Sequence, residues 1–288
     1  MKLIKKGKVK DIYEVDNENL IFHFTNRVSA FDVIMNEEIP YKGKILCEFA
    51  LFWFSRLKMS NHFVDRVDID KILVKKLTMI PIESVVRGYL YGSLFSRYKN
   101  SLFNEIPSEL ISYFTNRNLE IASKLPLLIF DPSTKSDVHD YPINKDEAVK
   151  KNFLTSVEFD KIKNFSLNLY DQMEKISNLS DFILADVKYE FGKDPNSGEL
   201  ILADSIGPDE CRLWDKKDYK PGKLQDSFDK QILRDWLDKS GFKHLIDQCT
   251  KDGKKPEPPL LPIDLINKIS ERYIEAYERI THSKFIKS

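Results

Sequence analysis

The sequence predicts an α+β protein, and three observations carry that expectation. Short runs rich in β-branched and aromatic residues dominate the chain up to about Glu83. From about Asn144 onward, apolar residues recur at helical intervals. Within that helical region, a strand–turn–strand pattern runs to Asp204. Strands followed by mixed helices and a hairpin imply a sheet-rich first domain, 1–83, and a larger second one, 84–288.

Residues 9–15, 20–24 and 80–86 read as strands, with turn-like Asp16-Asn17 and Asn26 beside them. A helix over 45–59 interrupts them, carrying Ile45, Phe49, Phe52 and Leu57 at near-helical spacing. Asn144 and Glu147 form a capping-box pattern that opens a long helical stretch. Within it, Ile162, Phe165, Leu169, Met173 and Ile176 lie on one stripe. A strand to Phe191, a turn over 194–198 and a return strand to Asp204 read as a hairpin. Symmetry about Asn196 would put Asp204 opposite Lys188. Phe228, Ile232, Trp236 and Leu237 mark one further helix face, and Ile266, Ile269, Tyr273, Ala276 and Ile280 another. The proline- and lysine-rich 251–262 reads as an exposed connector.

Composition narrows the function classes. With 288 residues, one or two domains are expected. Hydrophobic residues make up 42% and charged residues 31%, as in a folded globular chain. Lys plus Arg number 45, as do Asp plus Glu. That balance gives no general attraction to nucleic acid or membrane, so neither partner is expected and an anion site must be a local cation cluster. Cys47, Cys211 and Cys249 imply neither a disulfide framework nor a zinc site. The N-terminal residues have no secretory pattern, and no apolar run approaches the ~20 residues that cross a bilayer. A cytoplasmic location is the expectation.

Several segments hold residues suited to chemistry. Gly7 lets the backbone approach a ligand, and strand alternation would put Lys8 and Lys10 on one face. Two ammonium groups there suit a triphosphate; a lysine-guarded edge strand is the alternative. Residues 26–32 offer Arg27, Ser29 and Asp32 but read as a turn. In 85–93 a strand runs into Arg87, two glycines and Ser93, a fork and free N–H groups for an anion, or a structural ion pair. Pro126, Pro132 and Pro142 keep a donor-rich loop irregular, with Ser133, Lys135, His139 and Asp140 in it.

Strand alternation over 185–191 places Asp186, Lys188 and Glu190 on one face and Val187, Tyr189 and Phe191 on the other. Carboxylates from two paired strands suit Mg²⁺; a charged solvent face is the alternative. Asp209 and Arg212 follow a Pro-Asp turn, and Arg234 lies near a polar helix start that favours anions.

The order of these segments is more specific than any one of them. GKVKDIYEV, RVSAFDV, PIESVVRGYLYGSL, DPSTK, LADVKYEFG, LADSIGPDECRLWD and SFDKQILRDWL together closely resemble the SAICAR synthetase (phosphoribosylaminoimidazole-succinocarboxamide synthase) family. The resemblance spans about 7–236, and IEAYERITHSK near the C-terminus is similar too. It implies an antiparallel sheet domain plus an ATP-grasp-like domain, with ATP between them. It also implies a reaction: ATP, L-aspartate and carboxyaminoimidazole ribonucleotide (CAIR) give the succinocarboxamide SAICAR, ADP and phosphate, with Mg²⁺, in purine synthesis.

By the same resemblance, Gly7, Lys8 and Lys10 belong to a flap over the ATP phosphates. Lys76 and Met79 lie in a hinge against adenine. Arg87, Ser93 and Arg212 bind the nucleotide substrate, with Arg234 a further anion contact. Ser133, Lys135, His139, Asp140 and Asp209 fall in the substrate region. Asp186, Glu190 and Asp204 are the metal candidates, Glu190 also meeting ATP, and Lys10, Lys188 and Asp204 the catalytic ones. Ser205, Glu210 and Cys211 depart from the family pattern, which usually has Glu at the first position and small residues at the other two. A monomer or small homo-oligomer is implied. The competing reading is a small-molecule kinase using the same cleft, but neither HRD nor DFG occurs. A nucleotide-binding regulator without turnover is a third.

Overall fold

The computed structural model describes residues 1–115, 117–135, 140–228, 230–251 and 256–287. Near the N-terminus come β1 (Lys2–Lys6), β2 (Lys10–Glu14) and β3 (Asn19–Phe24), then β4 (Arg27–Ala30) and β5 (Val33–Glu38). Helix α1 (Lys42–Arg56) is followed by β6 (Phe63–Asp68) and β7 (Lys71–Lys75). Five of these strands form an antiparallel sheet in the order β1-β2-β3-β7-β6. The remaining pair, β4 and β5, is a separate hairpin where only a turn was expected. Its two connecting residues, Phe31 (φ 51°) and Asp32 (φ 64°), are left-handed, which suits the twist of a two-residue hairpin. Helix α1 starts and ends about three residues earlier than expected. Ile45, Phe49 and Trp53 face the core, and Leu57 N–H closes the last turn onto Trp53 O.

The second sheet contains β8 (Thr78–Met79), β9 (Ile82–Tyr89), β10 (Lys124–Phe130), β11 (Ser133–Thr134), β12 (Phe182–Lys193), β13 (Leu200–Ala203) and β14 (Cys211–Asp215). The short helices α2 (Gly92–Lys99) and α3 (Ser108–Thr115) lie between β9 and β10. The proline-bearing region expected to be irregular thus holds two strands. Pro126 is tolerated because the β10–β9 pairing breaks register between Lys124 and Ile129. Strand β12 is the spine: β9 and β14 flank its first half, β13 and β8 its second.

The expected long helical stretch is two helices, α4 (Lys145–Lys150) and α5 (Ser156–Leu179), each opened by its own capping box, Asn144/Glu147 and Thr155/Glu158. Helix α5 packs on β12 and β9 through Phe159, Ile162, Leu169, Tyr170 and Met173. The chain ends with α6 (Gln231–Lys239), α7 (Phe242–Lys251) and α8 (Ile263–Thr281). All five residues expected on the α8 face are buried. On α6 the buried pair is Leu233 and Leu237, with Ile232 and Trp236 half-buried. Part of the 251–262 connector lies outside the described residues; Leu261 at its end is buried, so that end is anchored rather than exposed.

One apolar cluster runs from Phe22 and Phe49 through Val86 and Tyr189 to Ile269 and Ile280, so both sheets and the C-terminal helix share a core. Among the described residues, no helix is long and apolar enough to cross a membrane. None of the three cysteines forms a disulfide among the described residues.

Candidate active site

The site is organised by the alternation of β12. Val187, Tyr189 and Phe191 point into the core. Asp186, Lys188 and Glu190 share the other face, where a buried charge without a partner would be costly. Each has one. Asp186 accepts from Arg212 Nη1 at 2.7 Å on both carboxylate oxygens. Lys188 donates to Glu83 at 2.8 Å, and Glu190 pairs with Lys135. The strand rise sets these pairs roughly 7 Å apart along the chain. Burial opposes the charge on Lys188, but Glu83 raises its pKa above the usual value. Burial likewise opposes Glu190, yet Lys135 lowers its pKa.

At the Asp186 end, register places Arg87 of β9 directly opposite. Arg87 donates from Nε to Asp131 at 2.6 Å and from Nη2 to Ser93 at 2.9 Å. Of the sequence alternatives for Arg87, the structural ion pair is present, and the side chain also lines a cleft. Gly92 (φ 56°) starts α2 beside this end, and a Cβ there would stand 3.2 Å from Arg212 Nη2. Ser93, Ser133, Lys188, Arg212 and Arg234 also line the cleft, which is open at its mouth.

At the Glu190 end, Lys10 of β2 reaches across from the first sheet to pair with Asp204 and donates to Ser205 Oγ at 2.9 Å. Burial lowers Lys10 to a pKa of about 8, against the opposing pull of Glu210 and Glu190. Asp204 does not lie opposite Lys188. Glu190 pairs with Ala203, β13 stops there, and the hairpin register is displaced by one residue from the expected symmetry. Asp204 then takes φ 61°, a left-handed conformation that Asp tolerates better than most residues. That turn sends its carboxylate to Lys10. His62 Nε2 lies 2.8 Å from Asp204 O and locks the turn. Burial, with Lys10 nearby, lowers the His62 pKa to about 3, so the imidazole is neutral.

Lys8 and Lys10 do not share a face as expected. Gly7 N–H donates to Lys10 O at 2.9 Å, making 7–10 a turn, and Lys8 goes to Asp32 at 2.5 Å. Beyond Glu190, Met79 pairs with Gly192 and stays exposed, while Lys76 binds Glu14 at 2.6 Å. Asp140 is exposed, and His139 lies outside the described residues. Asp209, expected among the substrate contacts, is the centre of a buried cluster. Its carboxylate binds Lys42 at 2.8 Å, Lys230 at 3.0 Å and Tyr273 Oη, and is held below the usual range by the lysines despite burial. Lys42, fully buried, carries no sequence signal, because a lysine in a polar stretch reads as surface. His62 was equally silent, while Glu83 and Asp131 lay inside quoted motifs without an assigned role.

The expected metal trio does not converge. Asp186 and Glu190 are four residues apart on one strand, roughly 13 Å, beyond the span of one ion. Among the described residues no three acidic, His or Cys side chains form a metal cage. Lys10 links the other two: it pairs with Asp204 and is also drawn electrostatically by Glu190. Two carboxylates with phosphate oxygens are a fitting set for Mg²⁺, which does not need an all-protein cage.

Known proteins share this sequence and fold. The profile of the SAICAR synthetase family matches residues 3–248. The chain is 45% identical over 281 residues to the phosphoribosylaminoimidazole-succinocarboxamide synthase of Nitrosopumilus maritimus, covering 98% of each. It is 38% identical to the Komagataella pastoris enzyme of that name, covering 98% of this chain and 95% of the other. Among solved structures, the SAICAR synthase of Saccharomyces cerevisiae complexed with SAICAR superposes with a TM-score of 0.81 at 32% identity, covering 98% and 95%. A type-2 SAICAR synthetase in complex with ADP gives 0.72 at 28%, covering 98% and 99%. With the charged face of β12, its two flanking cation sites and a match along nearly the whole chain, this protein belongs to the SAICAR synthetase family.

Proposed function

We propose that the protein joins L-aspartate to the carboxylate of CAIR with hydrolysis of ATP, giving SAICAR, ADP and phosphate in purine synthesis. The observation that carries this reading is the row Glu190–Lys188–Asp186 on one strand, with Lys10 at one end and Arg87 and Arg212 at the other. A triphosphate suits the first end and an anionic imidazole nucleotide the second. SAICAR and ADP are bound in solved relatives, each in keeping with this reading.

A carboxylate is a poor acyl donor because oxide leaves badly. Transfer of the γ-phosphoryl group to CAIR makes an acyl phosphate, which the aspartate amine attacks. The protein's share is alignment and neutralisation of spreading charge. In this reading Gly7 and the turn to Lys10 cover the phosphates, with Lys8 at the flap's outer edge. Lys76 and Met79 border the adenine. Lys10 and Lys188 offset phosphate charge, while Glu190 and Asp204 would hold Mg²⁺, which when bound neutralises phosphate oxygens. Arg87, Ser93, Arg212 and Arg234 hold the nucleotide substrate, each charge-assisted hydrogen bond contributing about 1.5–3 kcal/mol. Ser133, Lys135 and Asp140 border the aspartate side, His139 is a further substrate-binding candidate, and Asp209 fixes part of the cleft wall. Asp186 orients Arg212 rather than a metal. The division near residue 83 then separates a flap-bearing part from a substrate-bearing part, in a cytoplasmic enzyme that is a monomer or small homo-oligomer.

The test is a mixture of protein, ATP, Mg²⁺, CAIR and aspartate, with ADP and SAICAR followed and each component omitted in turn. ADP release that depends on all components and matches SAICAR formed is expected. ADP release without incorporation of aspartate would overturn the reading, and phosphorylation of a stable acceptor would favour the kinase instead.

A further inference from the structure

Glu210 stands in the loop between Asp204 and β14 and lines the same cleft as Arg87, Lys188 and Arg212. Its backbone is fixed on both sides. The N–H donates to Gly207 O at 3.0 Å, and the carbonyl accepts from Lys188 N–H at 2.8 Å. Its carboxylate folds toward Gly207, where an added Cβ would stand 3.5 Å from Oε2. The other acidic residues of the cleft wall are engaged: Glu83 by Lys188, Asp186 by Arg212 and Asp209 by Lys42. Among the described residues, the Glu210 carboxylate makes neither a hydrogen bond nor an ion pair.

The charged groups that face it come from several elements. They are Lys10 of β2, Lys42 of α1, Lys188 of β12, Lys230 ahead of α6, and Asp209 beside it. Burial and Asp209 push the Glu210 carboxyl up to about 7, against the lysines. A carboxylate with that affinity for a proton can accept one near neutral pH and release it again.

The ligase reading, on which this inference rests, calls for a proton acceptor, and Glu210 is this chain's own, at a position where the family pattern usually has a small residue. Free aspartate carries an ammonium group at neutral pH, and an ammonium has no lone pair to attack with. The acyl carbon must lie between the phosphate end at Lys10 and Lys188 and the nucleotide end at Arg87 and Arg212. Glu210 is hydrogen-bonded through its backbone to Lys188 and stands two residues before Arg212, between those ends. We propose that Glu210 is the general base that deprotonates the attacking aspartate ammonium. The carboxylate takes one proton and leaves a neutral amine. The nitrogen lone pair forms the C–N bond, the C–O bond to phosphate breaks with its electron pair on phosphate, and the second nitrogen proton goes to the departing phosphate.

The experiment compares the unaltered protein with Glu210→Gln and Glu210→Asp, using aspartate or hydroxylamine as nucleophile. Hydroxylamine is already unprotonated at neutral pH and needs no base. With aspartate, Glu210→Gln is expected to lose at least about 100-fold in kcat and to lose the rise in rate as pH increases through about 7. With hydroxylamine its rate is expected to stay within about 3-fold, which also reports an intact fold. Glu210→Asp, which keeps a carboxylate set back by one methylene, is expected to recover part of the aspartate rate. An aspartate rate within about 3-fold in Glu210→Gln, or an equal fall with both nucleophiles, would overturn the proposal. If the unaltered protein forms no SAICAR, the ligase reading itself fails; SAICAR formed equally by both proteins removes only the role of Glu210.

Discussion

Arg212 and Asp186 face each other across adjacent strands, with one guanidinium nitrogen 2.7 Å from both carboxylate oxygens. The same carboxylate lies 3.8 Å from Arg87 Nη1. One buried aspartate therefore holds the Arg212 guanidinium and lies beside that of Arg87, which Asp131 and Ser93 hold, on one side of the sheet. A guanidinium carries five N–H donors in a rigid fork, so its back can be held while its front meets an anion.

Arg212→Lys tests that geometry. A lysine keeps the charge and loses the fork, so the KM for CAIR is expected to rise about 10- to 100-fold, as loss of one charge-assisted contact requires. The value of kcat should fall by less than KM rises. Unchanged KM in initial-rate measurements would remove Arg212 from the substrate site.

Asp204→Asn removes the charge and leaves the backbone at ease, because Asn also tolerates φ near 61°. The fold and melting temperature are expected to persist while kcat falls at least about 100-fold, the cost of one strong electrostatic contact. Near-normal turnover of a folded variant would show that this carboxylate is not central.

Gly7→Ala addresses the flap. An added Cβ would meet Lys10 O at 2.5 Å, a backbone atom that cannot rotate away. The turn must open, displacing Lys10 from Asp204. The KM for ATP is expected to rise about tenfold, roughly one hydrogen bond's worth. Because β1 is exposed throughout, the melting temperature should change little. An unaltered KM for ATP would mean the turn does not touch the nucleotide.

His62 predicts acid sensitivity. Its folded pKa is about 3, against 6.5 for the free side chain. Between those values the unfolded chain binds a proton that the folded protein refuses. The stability is therefore fully present above about pH 6.5 and falls as the pH drops toward 3, by something on the order of 4 kcal/mol. His62→Gln, which keeps a donor for Asp204 O, is expected to lose less of its melting temperature between pH 7 and pH 4 than the unaltered protein. Parallel losses in the two would assign the acid sensitivity to the carboxylates instead.

Local periodicity was legible in the chain. The two faces of β12 and the buried face of α8 follow from repeats that each segment carries within itself. The capping box at Asn144 was equally local, but nothing in its pattern said that the helix would stop at Lys150 and a second box begin at Thr155. The Asn26–Asp32 stretch read as a turn because a two-residue hairpin loop and a free turn use the same residue types.

The amino-acid order by itself determined the α+β class, the charged strand and the family resemblance, since these depend on spacing within short segments. The tertiary structure alone decided which charges meet. Lys10 finds Asp204 because a one-residue register displacement and a left-handed φ re-aim that carboxylate. Lys42 becomes a buried partner of Asp209 because helix, loop and C-terminal helix close around both. Register, backbone reversal and burial are relations between distant segments, and charge pairing follows them rather than the identity of the residues alone.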